Sequence, residues 1–146
     1  MARRSLRNWL LLAAVAAIGV GGVAIDSSCA QRAAEAEQYR LFIVETYLPQ
    51  YRLNSGEWPK DLSEADRAAG EVDKPFGAYM SRVRRESGAR LQVVRSDADS
   101  FEGVLLYPSW SLAPRRVSCD RGCMQSYLAE ANAYSRGKNE QDSSGR

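Results

Sequence analysis

Apolar and polar positions follow three different rhythms along the chain. Trp9 to Ile25 carries no charged and no strongly polar side chain. At 1.5 Å of rise per residue such a run spans about 26 Å as a helix, close to the ~30 Å hydrocarbon core of a bilayer. From Ala30 to Asn54 the apolar positions recur at helical spacing: Tyr39, Phe42 or Ile43, Tyr47 and Tyr51, with Leu41, Val44 and Leu48 beside them. That spacing predicts one long helix with a stripe facing a core. Ser27 or Ser28 supplies a cap if the helix starts afresh, and Asn54-Ser55-Gly56 supplies a glycine stop. Pro49 lies inside the pattern and predicts a kink, because it lacks a backbone donor and clashes with the preceding turn.

Beyond Trp58-Pro59, Ser63 with Asp66 reads as the cap of a short helix ending at Gly70, and Asp73 to Gly77 as a loop. The rhythm then becomes alternating. Tyr79, Ser81 and Val83 alternate with Met80, Arg82 and Arg84, Glu86-Ser87-Gly88 marks a turn, and Leu91, Val93 and Val94 begin a return strand. A turn at Asp97 to Ser100 precedes a strand from Phe101 to Tyr107 that Pro108 ends, and a further strand runs from Arg115 to Cys119. Met124 to Tyr134 predicts a short terminal helix, and Gly137 to Arg146 is polar enough to fray. The expected fold class is α+β: an N-terminal membrane helix continues into a long helix packed on a three- or four-stranded antiparallel sheet. The expected division is 1–30 for the basic head and apolar segment, 31–136 for the folded domain, and 137–146 for a disordered tail.

Charge places this plan relative to a membrane. Arg3, Arg4 and Arg7 precede the apolar run and Asp26 follows it, which keeps the N-terminus in the cytoplasm and exports the rest. Three fates of the exit side stay open. The run is retained as an anchor, or cleaved before Gln31 after the small residues of Ser28-Cys29-Ala30, or lipidated at Cys29. Arg3-Arg4-Ser5-Leu6 also has the two arginines of a twin-arginine signal, without its flanking consensus. With Arg3, Arg4, Arg7 and Asp26 set aside, the chain's 20 Lys plus Arg and 18 Asp plus Glu balance. A neutral body argues against nucleic acid as a partner. Arg82, Arg84, Arg85, Arg90 and Arg95 fit the outer face or turn of a hairpin, as a solvated face or as a docking face for an acidic partner.

The chain has no histidine, so the commonest general base and metal ligand are missing. Two carboxylate pairs, Asp97 with Asp99 and Glu35 with Glu37, read as turn and helix-surface residues rather than catalytic partners. No catalytic residue, cofactor, metal or small-molecule substrate is expected. Cys119 and Cys123 enclose Asp-Arg-Gly and read as a small disulfide loop in an exported protein. Cys29 is left for removal, lipidation, burial near the membrane or pairing between two copies.

The order of these parts resembles the type IV pilin and type II secretion pseudopilin superfamily. The resemblance covers roughly residues 30 to 123. Its residues are the helix leading into Tyr51-Arg52-Leu53-Asn54-Ser55-Gly56-Glu57-Trp58-Pro59, the stretch Ala78 to Val83 with Gly88 and Leu91 to Val94, then Gly103 to Pro108 and Val117-Ser118-Cys119. Pilins are processed after a glycine and carry a glutamate at the fifth mature position, where this chain has Asn8 and Ala13. The resemblance therefore implies a membrane-anchored, periplasm-facing subunit or accessory protein of pilus or secretion machinery, held in the inner membrane and acting by protein contacts. The alternative expectation is a small secreted binding module of inhibitor or immunity type, released before Gln31.

Overall fold

The computed structural model describes the backbone of residues 28–144 and the side chains of residues 28–138. The apolar run 9–25 and its flanks lie outside the described residues. No helix among the described residues is long and apolar enough to cross a membrane. Contacts divide the chain after Glu35, and Ala36–Arg146 forms one of the two units.

The predicted long helix is present as α1 (residues 28–42), a wide π turn (Ile43–Tyr47) and α2 (Leu48–Ser55). Pro49 accounts for the wide turn. Its ring would meet the carbonyl one turn back in a regular helix, so the backbone admits an extra residue per turn just before it, with the Leu48 N–H reaching Ile43. Gly56 then ends α2 in the left-handed conformation (φ 76°). Of the predicted stripe, Tyr39, Phe42, Ile43, Tyr47 and Leu48 are buried with Ala36 beside them, whereas Val44 and Tyr51 are half-buried and Leu41 is exposed.

The next segments differ from the sequence reading. Ser63 caps nothing: its N–H binds the Asp61 carboxylate, and α3 (Ala65–Val72) runs past Gly70. Asp73 to Gly77 is the start of a helix rather than a loop, and the expected strand at Tyr79 to Arg84 lies within that helix, α4 (Lys74–Ser87). Its signals are local. Asp73 accepts the Phe76 N–H as an N-cap, Pro75 sits in the first turn, and Gly88 closes the end at φ 65°. Gly77, Met80, Val83 and Ser87 are buried on one side. This three-to-four spacing competes with the alternation of Tyr79, Ser81 and Val83 and prevails because it buries a face against α3. The two helices meet glycine to glycine: a Cβ on Gly77 would lie 2.6 Å from the Gly70 Cα.

The sheet has three strands in the order β1 (Arg90–Ser96), β2 (Phe101–Tyr107), β3 (Leu112–Cys119), antiparallel throughout. Phe101, Gly103, Leu105 and Tyr107 alternate inward along β2. They meet the helical stripe in one core with Val117 and Cys119. The Tyr107 hydroxyl donates to the Ala36 carbonyl at 2.9 Å, joining sheet to helix inside that core. Burial raises the Tyr107 phenol above its ordinary pKa. The molecule is thus α+β, with helices packed on a three-stranded antiparallel sheet. The terminal helix α5 (Arg121–Ser144) is longer than expected, and its backbone is helical through the segment whose composition predicts fraying.

Candidate functional site

Cys119 and Cys123 are bonded, with Cα atoms 5.2 Å apart. Asp120 between them organises the corner. Its side chain accepts the Cys123 N–H at 3.0 Å and its carbonyl accepts the Met124 N–H at 3.0 Å, which starts α5 directly from the end of β3. The Cys123 sulfur lies 3.6 Å from the Val44 carbonyl in the π turn, so the disulfide sits where strand, terminal helix and spine helix converge. Cys29 is exposed and unbonded.

The five arginines do not line one hairpin face. Arg82, Arg84 and Arg85 belong to α4. Arg84 is turned inward and grips Asp66 through both carboxylate oxygens at 2.8 and 2.6 Å. Arg82 pairs with Glu86 and lies over the Tyr79 ring, and Arg85 returns to the Ser81 carbonyl. Arg90 and Arg95 do belong to β1. The register sets Arg90 opposite Leu106, Gln92 opposite Val104 and Arg95 opposite Glu102, and then Val104 opposite Arg116 and Glu102 opposite Ser118. Cross-strand partners share a face, so these residues cover the side of the sheet turned away from the helices. Arg116 therefore joins Arg90 and Arg95, a companionship that needs the β2–β3 register to be seen. Val94 is the extra residue of a bulge in β1, and with Val104 and Arg116 it lines a depression of about 200 Å³ on that face.

A second surface is cut entirely among helices. Glu45 and Thr46 of the π turn, Gln50 of α2, Glu71 and Val72 ending α3, and Tyr127, Glu130, Ala131 and Tyr134 of α5 line a groove of about 300 Å³. Glu71 accepts a hydrogen bond from Gln50 at 2.5 Å. The Tyr127 phenol is pushed up by burial and by the negative charge of Glu71. Sequence reasoning missed this groove because its walls come from three segments far apart in the chain, and only the Tyr127 to Tyr134 spacing on α5 hinted at a helical face.

The carboxylate pairs are tied into structure. Asp97 accepts the N–H groups of Asp99 and Ser100 and the Ser100 hydroxyl, forming the β1–β2 turn, and these bonds hold its carboxyl below the usual range. Asp99 binds Arg121. Glu37 binds Arg40, which holds its carboxyl down, while Glu35 accepts from Gln31. The same turn is latched to the end of α2. Trp58 donates its indole N–H to the Asp97 carbonyl at 2.8 Å, and Arg52 lies over the Trp58 ring while donating to the Ala98 carbonyl at 2.9 Å.

No protein-family model, no curated protein and no solved structure matches this chain.

Proposed function

We propose that this chain is a membrane-anchored, periplasm-facing subunit of pilin-like plan that works through protein contacts. The observation that carries the reading is the spine helix. Its stripe Ala36, Tyr39, Phe42, Ile43 and Tyr47 lies across the inner face of an antiparallel meander, and in the sequence it follows directly on the apolar run 9–25. The basic residues ahead of that run and the bonded Cys119–Cys123 pair fit export into an oxidising compartment. Two surfaces, the outward sheet face and the helical groove, combine apolar centres with charge, as contact surfaces do.

The test joins topology to mass. A reporter fused after Arg146 that is active only outside the cytoplasm is expected to be active, with the chain in the membrane fraction and the intact mass retaining Trp9 to Ile25. A mature chain beginning at Gln31 favours the secreted binding module instead. Finding the whole polypeptide in the cytosol with both late cysteines reduced would refute export altogether.

A further inference from the structure

A cleft of about 250 Å³ opens between α2 and α3, and the Gln50–Glu71 hydrogen bond is the wall it shares with the helical groove. Its floor is apolar and aromatic. Ala68 is buried, and Tyr47 and Tyr51 meet edge to face with ring centres 5.8 Å apart. The Tyr47 hydroxyl is committed to the Asp61 carbonyl at 2.9 Å, so Tyr47 offers the cleft its ring alone. The rim is a row of planar polar groups that hold one another. Arg67 donates to Glu64 at 2.5 Å and lies 3.8 Å from Glu71, which also accepts from Gln50. Two rim groups keep their hydrogen-bonding capacity: the Asn54 amide and the Tyr51 hydroxyl have no partner among the described residues.

We propose that this cleft binds one ring of a neutral saccharide. A sugar ring has a face of C–H bonds and a belt of hydroxyls. The face suits an aromatic wall, whose π cloud is negative where the C–H groups are positive. The hydroxyls, each both donor and acceptor, suit a mixed rim. Asn54 and Tyr51 can each donate and accept, and the Glu64 and Glu71 carboxylates keep lone pairs that Arg67 and Gln50 do not fill. Charge then selects among sugars. Arg67 offsets one of the two carboxylates, and the remaining negative charge disfavours a uronic acid or a phosphorylated sugar. An ammonium group is the rival guest for carboxylates beside tyrosines. It would have to displace the Arg67 and Gln50 bonds, whereas hydroxyls add to them. Because the rim is braced before the ligand arrives, little side-chain freedom is lost on binding. The volume lies just under the roughly 300–1,000 Å³ of pockets for drug-sized ligands, so the cleft takes one ring and the rest of a glycan continues into solvent. The inference goes beyond the protein-contact reading and does not rest on it.

The test uses the full-length chain, purified in a polyoxyethylene detergent that carries no sugar. It is applied to an array of linear glycans: neutral hexose and N-acetylhexosamine oligomers, uronic-acid oligomers, and oligomers bearing free amines. Binding is expected for neutral glycans alone. Saturation-transfer NMR of a bound glycan should show the strongest transfer on one ring, and calorimetric titration gives its affinity. Asn54→Ala removes an exposed amide with no partner to lose, so its thermal melt should match wild type while its affinity falls about fivefold. Tyr51→Ala should lower affinity about tenfold through the lost ring contact. Arg116→Ala, on the outward sheet face, should leave binding unchanged. The proposal is overturned if no neutral glycan binds, if acidic or amine-bearing glycans bind as tightly, or if affinity ignores both Asn54→Ala and Tyr51→Ala. Its failure is separable from that of the anchored reading. An anchored chain without the sugar site keeps the topology and mass results and gives an empty array, whereas a released chain with the site shows the reverse.

Discussion

Asp66 and Arg84 show how one residue pair ties two helices together. The guanidinium meets the carboxylate side by side, the geometry that makes Arg–carboxylate bonds strong. Asp66 lies well below the usual carboxylate range, first because of the Arg84 hydrogen bonds and despite partial burial, with Ser81 and Arg85 also favouring its charge. Beside the pair, Tyr39 is fully buried, its hydroxyl has no hydrogen-bond partner among the described residues, and burial with the charge of Asp66 pushes its pKa up. The folded state thus keeps Asp66 ionised to lower pH than the unfolded chain does. The stabilisation is complete above the unfolded value near ~3.9 and drains away as pH falls through the lower folded value. Asp66→Asn is expected to cost about 1 kcal/mol at pH 7. Urea melts at pH 7 and pH 3 check the sign: the gap between wild type and variant should shrink at pH 3, and an unchanged gap would exclude the linkage. Such a pair was illegible in the sequence, where Arg84 reads as part of a basic run and Asp66 as a capping residue.

At the scale of elements, the sequence announced those whose periodicity has no rival. The spine helix, its Gly56 stop and the strands β1, β2 and β3 follow from such patterns, and the close spacing of Cys119 and Cys123 favours the disulfide loop over a metal or redox pair. The segment Tyr79 to Arg84 has two, since Tyr79, Ser81 and Val83 suit a strand while Gly77, Met80, Val83 and Ser87 suit a helix. What decides is the packing of α4 on α3, which no local pattern contains. Gly77 makes that decision testable. In Gly77→Ala the new Cβ would press on Gly70 backbone atoms at 2.6 and 2.8 Å, which do not swing aside as a side chain would. A loss of roughly 1–3 kcal/mol is expected. Gly70→Ala meets nothing within 4 Å and removes a glycine from a helix, so it should be neutral or stabilise by up to about 1 kcal/mol. Thermal melts of the two variants should move in opposite directions or diverge clearly; equal losses would mean the helices do not cross at these glycines. The disulfide makes a second element-level prediction. It closes a loop of sequence separation 4 between β3 and α5, a size for which loop closure is worth roughly 2 kcal/mol. Reduction should therefore lower stability by about that much. Hydrogen exchange should quicken first in residues 121–128, which the bond anchors, while the amides of β2 stay protected.

Across the body that begins at Ala36, one core draws on the spine helix, α3, α4 and the strands β2 and β3, while β1 and α5 pack against it through the partly buried Leu91, Cys123 and Met124. Tyr39, Phe42, Ile43 and Tyr47 come from the spine helix, Ala65, Ala68 and Ala69 from α3, Met80 and Val83 from α4, and Phe101, Leu105, Tyr107 and Val117 from the sheet. The expectation of a helix laid across a sheet was legible because both apolar periodicities point to faces that need cover. The groove and the outward sheet face were not, because each is assembled from segments far apart in sequence and shows itself only when the register and helix order are known. A shared core also governs how the body should unfold. With no pair of elements owning a separate apolar cluster among the described residues, loss of a central side chain should weaken all of them together. Leu105, fully buried at the middle of β2, is the position that tests this. Leu105→Ala removes about three buried carbons and leaves a cavity between sheet and helix, a cost of roughly 2–4 kcal/mol. Far-UV circular dichroism, which follows the helices, and near-UV signals, which follow the packing of the tyrosines and tryptophans, should shift to the same lower denaturant midpoint with unchanged slope. A variant whose helical signal kept the wild-type midpoint while its aromatic signal fell would show that the helices stand without the sheet, and the single core would have to be divided.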